Sequence, residues 1–277
     1  MLGKLIILGT PIGNLKDFSP RAQEALKKAD LIAAEDTRVT RKLLNYFDIS
    51  KPLISYFEYN KKARGKIIIG KILDGKICVL VSDAGMPIIS DPGEELVQEC
   101  AQKSIPIEVV PGPSALTAAL AVSGLPSGRF TFEGFLSTNK AVRRRHIDEL
   151  RTEKRTMIFY EAPHKLAKTL SDLFASFGDR KLTIAREMTK IHEEIIYTTL
   201  KDAIDRYKDE KPRGEIALVI EGSKGCEITV EYNMEQAVAF AKNLSAQGYS
   251  KSDAAKRASH ETKFKRSVIY KALIESI

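Results

Sequence analysis

Short apolar runs alternate along the chain with longer segments of helical periodicity, and this alternation constrains the fold more than any other feature. Five strands are predicted in the first part of the chain, at 5–8, 31–34, 53–55, 77–81 and 107–110. Helical patterns separate them, at 20–29, 38–47, 61–73 and 94–102. Strands that alternate with helices form crossover units around a mostly parallel sheet. We therefore predict an α/β fold.

The pattern changes after Pro111-Gly112-Pro113, where a helix is predicted at 114–122. Further strands are predicted at 130–133, 156–160, 182–186, 195–200 and 215–221. Some of their connections are short, which indicates a mixed sheet. Three short helical patterns end the chain, at 234–246, 252–259 and 263–274, and resemble a helix-turn-helix module. We predict an α/β domain at 1–112, a second at 113–230 and a helical module at 231–277.

The net charge indicates the class of binding partner, and the cysteines indicate the cellular compartment. Lys and Arg number 44 against 36 Asp and Glu, a net charge of +8. This favours an acidic partner, nucleic acid before an anionic membrane, although a solvated basic surface is the alternative. The three cysteines form no C-x-x-C pair, which excludes a zinc ribbon and is typical of a reducing cytoplasm. No apolar stretch approaches the ~20 residues that span a bilayer, so we expect a cytoplasmic protein without a membrane span.

Three loops rich in glycine and proline follow predicted strands, at 9–14, 82–87 and 111–115. In an open α/β sheet, ligands bind at the carboxyl ends of the strands, where glycine allows the backbone to approach a ligand closely. A tight turn without a ligand is the alternative for any single loop. Three such loops in one predicted sheet favour a binding site.

These loops, together with Ala34-Glu35-Asp36-Thr37-Arg38 and Ser90-Asp91-Pro92-Gly93, resemble the tetrapyrrole-methylase superfamily. Blocks in the second half are similar to its branch of 16S rRNA ribose methyltransferases, at 132–136, 160–165, 186–194 and 213–215. The resemblance covers residues 4 to 222, and the helical tail is placed like the C-terminal module of that branch. Phe57 and Tyr59 depart from the pattern, because they stand where the family usually has two histidines.

The resemblance implies a homodimeric enzyme that uses S-adenosylmethionine (AdoMet) to methylate the ribose 2′-oxygen of a cytidine in the decoding region of 16S rRNA. AdoMet is expected in a cleft between the two α/β domains, and methyl transfer from a sulfonium requires no metal. The residues carried over as AdoMet contacts are Thr10, Pro11, Gly13, Asn14, Asp83, Ala84, Gly85, Met86, Pro87, Pro111, Gly112, Ser114 and Ala115.

A ribose hydroxyl is a poor nucleophile near neutral pH, so a base or a strong hydrogen-bond acceptor is expected to contact it. The candidates are Glu35, Asp36 and His164, with Arg38 holding a phosphate or orienting a carboxylate. Structural alternatives are an internal salt bridge at the strand end within Glu35-Asp36-Thr37-Arg38 and a helix-end packing or capping role for His164. Asp91, which precedes a proline, has a helix-capping alternative.

Two basic stretches, in 139–155 and in the tail, are suited to contacts with phosphates. The residues predicted to contact RNA are Arg143, Arg144, Arg145, Lys256, Arg257, Lys263, Lys265 and Arg266. A solvated helix face is the alternative. In the tail, the interleaved aromatic residues Tyr249, Phe264 and Tyr270 favour RNA.

Two other functions stay open on the sequence. A methyltransferase that acts on a tetrapyrrole would share the loops but has no need of a basic helical tail. A non-catalytic nucleic-acid-binding protein would use only the helical module, and three glycine loops at strand ends argue against it. An AdoMet binding titration separates this second alternative from an enzyme.

Overall fold

The computed structural model describes residues 3–208, 210, 212–225, 233–246, 249–262 and 264–275. The chain forms two compact units, Met1–Gly222 and Ser223–Ile277. The first unit holds two five-stranded sheets, and the boundary predicted at 112/113 falls between them in the sequence. The division into three domains stays a prediction.

The first sheet is parallel throughout, with the strand order β3-β2-β4-β1-β5. Its strands are β1 (Lys4–Leu8), β2 (Leu31–Ala34), β3 (Leu53–Ser55), β4 (Ile77–Val81) and β5 (Ile107–Val110). The helices between them are α1 (Pro20–Lys28), α2 (Thr37–Tyr46), α3 (Lys61–Leu73) and α4 (Glu94–Gln102). Two apolar clusters pack on this sheet, which buries the central strands as a parallel sheet requires. The predicted α/β fold is confirmed.

The second sheet is mixed, as the short connections predict, with the order β6-β7-β10-β8-β9. Its strands are β6 (Phe130–Phe135), β7 (Thr156–Glu161), β8 (Lys181–Arg186), β9 (Glu194–Thr199) and β10 (Ile216–Ile220). Only β6 and β7 pair in parallel. The helix α5 (Ala115–Val122) follows the third glycine loop and packs on this second sheet through Leu116, Ala119 and Leu120. One helix thus connects the loops of the first sheet to the second.

Three helices of the second half have no bounds in the sequence prediction, although His164 is expected at a helix end: α6 (Lys140–Glu149), α7 (Leu166–Phe177) and α8 (Leu200–Arg206). Leu166, Leu170 and Leu173 of α7 are buried at the spacing i, i+4, i+7, so helical periodicity could have identified this element. Helix α6 lacks such a signal, because seven of its ten residues are charged or histidine.

The second unit contains α9 (Met234–Ala246), α10 (Lys251–Thr262) and α11 (Arg266–Glu275), close to the three predicted helices. Its small core contains four alanines with Ile269 and Leu273. Alanine lets helices approach closely, so a compact module forms around few large apolar side chains. None of the helices in the described ranges has the length and apolar content needed to cross a membrane.

Candidate active site

The three glycine loops meet at the carboxyl edge of the first sheet. Gly9 and Gly112 lie back to back, because a Cβ built on Gly9 would be 2.7 Å from the Gly112 Cα. Thr10 and Gly85 exchange two backbone hydrogen bonds, of 2.8 and 3.2 Å. The Gly112 N–H also donates to the Met86 sulfur at 3.3 Å. Only glycine allows this close approach of the first and third loops, so the three loops form one surface.

A cavity of about 390 Å³ opens beside this surface and is lined by loops of both sheets; we call it the inter-sheet cavity. The first sheet and α5 contribute Ile12, Glu35, Asp83, Ala84, Gly85, Met86, Ile89, Ser90, Asp91, Ser114 and Ala115. The second sheet contributes Phe135, Tyr160, Glu161, Ala162, Pro163, Ala185, Met188, Glu215, Ile216 and Ala217. The Tyr160 hydroxyl accepts the Leu116 N–H at 2.9 Å and so ties α5 to the cavity wall.

The residues predicted to contact AdoMet fall into three groups. Six of them line the inter-sheet cavity: Asp83, Ala84, Gly85, Met86, Ser114 and Ala115. Thr10, Pro11 and Gly13 line a neighbouring cavity instead. The remaining four, Asn14, Pro87, Pro111 and Gly112, are outside the described lining of both cavities. Asn14 caps a short 3-10 turn by accepting the Lys16 N–H at 3.0 Å.

Three of the five acidic residues that line the inter-sheet cavity, Glu35, Asp83 and Asp91, come from loops of the first sheet. Glu35 accepts the Asp83 N–H at 3.4 Å, and Asp83 accepts the Asp36 N–H at 3.0 Å, so the loops after β2 and β4 hold each other. Burial, reinforced by neighbouring carboxylates, raises the pKa of Glu35 and of Asp83. Burial and the charge of Glu35 raise the pKa of Asp91 to about 6. The cavity therefore has a negative potential that favours a cationic ligand.

Asp36 and Arg38 are engaged with each other. The Arg38 guanidinium donates to both carboxylate oxygens of Asp36, with Nε–Oδ1 3.0 Å and Nη2–Oδ2 2.6 Å. Asp36 also caps α2 by accepting the Arg38 N–H at 2.8 Å. Hydrogen bonds from Arg38 lower the pKa of Asp36 to about 2. A carboxylate with so low a pKa is a weak proton acceptor at neutral pH, so this geometry favours the salt-bridge alternative.

The other two catalytic candidates occupy different surroundings. Glu35 is half-buried and lines the inter-sheet cavity. His164 is exposed in the 3-10 turn Pro163–Lys165, and only its neighbour Pro163 belongs to the described lining. Of the four predicted catalytic residues, Glu35 is thus the one that belongs to the described lining of the inter-sheet cavity.

The comparisons with known proteins agree with this architecture. Residues 4–204 match the family described as Tetrapyrrole (Corrin/Porphyrin) Methylases. The chain belongs to the tetrapyrrole methylase family. It is 51% identical to Ribosomal RNA small subunit methyltransferase I of Thermotoga maritima, over 80% of this chain and 100% of that protein. It is 45% identical to the protein of the same name from Synechocystis sp., over 99% of this chain and 98% of that protein.

A solved structure shares the fold of this methylase. Uroporphyrin-III C-methyltransferase from Thermus thermophilus, complexed with S-adenosyl homocysteine, superposes with a TM-score of 0.56 and 16% identity. The match covers 78% of this chain and 97% of the other. At this identity the likeness concerns the fold alone, and it confirms the predicted two-sheet architecture.

Several residues that line the cavity of the methylase are absent from the sequence-based site prediction. Asp91, Tyr160, Glu161 and Glu215 all belong to the lining. Asp91 was identifiable from the Ser90-Asp91-Pro92-Gly93 motif, but its capping alternative is wrong, because Gly93 is the residue that precedes α4 as its N-cap. Tyr160 and Glu161 end β7, and Glu215 directly precedes β10. All three fall in the family blocks 160–165 and 213–215, but only the folded chain brings them to the cavity.

Arg143 corrects the predicted RNA surface. Its side chain is buried, with 7% of the residue exposed. The guanidinium donates to Asp172 Oδ2 at 2.7 Å and to Thr169 Oγ1 at 2.8 Å. Thr169 in turn donates to Glu161, which lines the inter-sheet cavity. Arg143 therefore supports the cavity wall and is not exposed to bind RNA.

The other predicted RNA contacts are on the surface where the structure describes them. Arg144 and Arg145 are exposed on α6. In the second unit, four basic residues are exposed: Lys256, Arg257, Lys265 and Arg266. Arg257 stacks over the Tyr249 ring at 4.2 Å, which pairs a cation with an aromatic face. Lys263 lies outside the described residues. The role of this surface in binding RNA stays a prediction.

Replacing Asp91 by asparagine is expected to stabilise the ligand-free protein at pH 7.5 but not at pH 4. The pKa of Asp91 is higher in the fold than in the unfolded chain, so its stabilisation is complete below about pH 4 and is lost as pH rises through about 6. Asparagine never ionises and avoids this loss. The measurement is the Tm of both proteins across this pH range.

Asp36→Asn serves as the control with the opposite sign. The pKa of Asp36 is lowered in the fold, so its ionised form stabilises the protein above about pH 4 and this contribution disappears as pH falls towards 2. Asp36→Asn should therefore lower Tm at pH 7.5. Equal Tm values for wild type and Asp91→Asn at pH 7.5 would contradict the burial of an ionised Asp91.

Proposed function

We propose that the protein is an AdoMet-dependent methyltransferase that methylates the ribose 2′-oxygen of a cytidine in the decoding region of 16S rRNA. The observation that carries the proposal is the acidic inter-sheet cavity beside three interlocked glycine loops. The names of the two similar relatives support small-subunit rRNA as the substrate class. The choice of a cytidine 2′-oxygen, the homodimer and the cytoplasmic location rest on the family resemblance.

The inter-sheet cavity fits AdoMet in size and chemistry. Its volume of about 390 Å³ falls in the usual range of small-molecule sites, roughly 300–1,000 Å³. Met86, Ala115 and Ala217 provide apolar surface for an adenine ring. Glu35 and Asp91 provide negative charge for an ammonium group and a sulfonium. When bound, AdoMet supplies an activated methyl group on that sulfonium.

The residues of this chain then have two tasks, alignment and proton removal. The interlocked loops hold the cavity rigid, and rigid positioning of the reacting groups is a major source of rate enhancement. Glu35 accepts the proton of the ribose hydroxyl in our proposal, because it lines the cavity and its pKa is raised towards the range useful for a base. Asp83 positions Glu35 through its backbone N–H.

Replacing Ala84 by phenylalanine is expected to abolish AdoMet binding with little effect on folding. Ala84 is exposed and lines the inter-sheet cavity, so a phenyl ring there occupies ligand space without entering the core. Isothermal titration with AdoMet measures the loss. Ala63→Phe, at an exposed position of α3, is the matched control and should bind AdoMet normally. Normal affinity in Ala84→Phe would contradict the assignment of AdoMet to this cavity.

A bulky residue at Gly85 is a less selective test of the same loop. Gly85 has a φ of +85°, and a Cβ there would lie 3.3 Å from Ile12 Cγ2. Gly85→Val therefore strains the backbone as well as the cavity. Loss of binding in that variant would not separate ligand contact from misfolding, whereas Ala84→Phe does.

The methylated position is tested in cells. Mass mapping of nucleosides in 16S rRNA should show one 2′-O-methylated cytidine missing when the gene is deleted and restored when it is returned. A complementing Ala84→Phe gene should fail to restore it. An unchanged pattern of 16S methylation after deletion would overturn the proposed substrate.

A further inference from the structure

A second cavity, of about 300 Å³, adjoins the loops; Thr10, Pro11 and Gly13 of the predicted AdoMet contacts line it, but the AdoMet site proposed above is the inter-sheet cavity. We call this second cavity the α2 pocket. It is lined by Thr10 and Ser82, which follow β1 and β4, and by one face of α2. Asp83 lines both this pocket and the inter-sheet cavity. A molecule in the α2 pocket therefore lies next to the residue that borders the AdoMet site.

The face of α2 towards the pocket is apolar yet exposed. Val39, Leu43 and Tyr46 recur at i, i+4 and i+7 and line the pocket together. Val39 is 39% exposed and Tyr46 is 64% exposed. A helix normally buries such a stripe against the core. The Tyr46 ring contacts the Phe47 ring edge-to-face, with centroids 4.9 Å apart, so an exposed aromatic surface borders the pocket.

Polar groups complete the pocket. Thr40 lines it, and its buried hydroxyl has no hydrogen-bond partner among the described residues. Such buried unpaired hydroxyls are rare in folded proteins and call for an explanation. Lys42 is exposed at the rim, and Arg41 beside it is also exposed on α2. An aromatic surface, a hydroxyl and cations together suit a ligand with a flat ring and a phosphate.

We propose that the α2 pocket holds one unstacked nucleoside of the RNA substrate, with its base against Tyr46 and a flanking phosphate at Lys42. The inference rests on the proposed function and names the residues that receive the methyl acceptor. Proteins commonly stack single-stranded bases on aromatic side chains, and lysines contact the backbone. Because Asp83 lines both cavities, a nucleoside here brings its ribose to the edge of the AdoMet site.

Replacing Tyr46 by alanine tests the proposal directly. Base stacking on an aromatic side chain predicts a loss of about 5- to 150-fold in kcat/KM for the RNA, with an unchanged Kd for AdoMet. Tyr46→Phe keeps the ring and should lose far less kcat/KM for the RNA than Tyr46→Ala. Asn45→Ala, an exposed neighbour on α2 outside the pocket lining, is the matched control and should behave as wild type. Thr40→Val replaces the unpaired hydroxyl by a methyl group and should also lower kcat/KM for the RNA.

A second measurement separates failure of this inference from failure of the proposed function. Binding of a short single-stranded RNA by the full-length protein is followed by fluorescence anisotropy, which requires no methyl transfer. If wild type methylates rRNA and Tyr46→Ala does so with the same kcat/KM, the pocket assignment is overturned. Weaker AdoMet binding in Tyr46→Ala would also overturn it. Tyr46-dependent RNA binding without any rRNA methylation would support the pocket and overturn the proposed function. Absence of both activities would overturn both.

Discussion

Replacing Glu35 by glutamine is expected to lower the single-turnover rate of methyl transfer by about 10²–10⁴-fold, the usual contribution of a general base. Glutamine keeps the shape of the side chain and can still accept the Asp83 N–H, so the loops after β2 and β4 should stay in place. AdoMet affinity should fall far less than the rate. Rapid-quench transfer of a labelled methyl group to small-subunit rRNA measures the step.

The pH profile distinguishes a base from a purely structural carboxylate. Glu35 accepts a proton only when ionised, so the wild-type rate should rise with pH through its raised pKa and then level off. That rise should be absent in Glu35→Gln. Asp36→Asn is the companion variant. It should lower the rate of methyl transfer less than Glu35→Gln does, because the Asp36 carboxylate is hydrogen-bonded to Arg38 and has a pKa of about 2. An unaltered rate in Glu35→Gln would move the catalytic role to another residue.

Neutralising the basic surface of the helical module is the second change with a large expected effect. The variant carries four alanines in the full-length chain, at Lys256, Arg257, Lys265 and Arg266, all exposed in the structure. Losing four phosphate contacts to single-stranded RNA should reduce the magnitude of the slope of log K against log salt concentration by about 3. The RNA affinity at 0.1 M salt should fall on the order of 10³-fold. RNA titrations at several salt concentrations measure both quantities.

The control removes the same charge elsewhere. Four exposed basic residues of α3, Lys62, Arg64, Lys66 and Lys71, are replaced by alanine. This variant should show a salt dependence close to wild type, because α3 belongs to neither predicted RNA surface. Equal slopes for the two variants would mean that net charge alone, and not the helical module, determines RNA binding. AdoMet affinity should be unchanged in both.

The alternation of strands and helices was readable from the sequence because it depends on local periodicity. The runs 5–8 and 77–81 are apolar without a break, as central parallel strands must be, and they became β1 and β4. Ser19 accepts the Ala22 N–H as the N-cap of α1, and Pro20 occupies the first helical position, a local pairing of residue types that favours a helix start. Where periodicity is weak, as in α6, the helix was missed.

The site was only partly readable, because its residues meet through contacts between distant segments. Loop chemistry indicated Gly85, Met86 and Ser114, which line the inter-sheet cavity. No local pattern indicates that Glu215, just before β10 and about 130 positions further along than Gly85, lines the same cavity. Nor does a basic run reveal which arginine is buried. Arg143 and Arg144 are neighbours, yet the helix turns one towards Asp172 and the other to solvent.

By itself the sequence determined the two α/β halves, the helical module and the glycine loops, since each depends on periodicity or on a residue type that a backbone turn requires. The tertiary structure decided the chemistry. Burial separates Glu35, whose pKa is raised, from the adjacent Asp36, whose pKa is about 2, although both are carboxylates at the end of one strand. Only the folded arrangement of loops and α2 creates the two cavities that share Asp83. Solvation and pairing depend on neighbours in space, which no local pattern specifies.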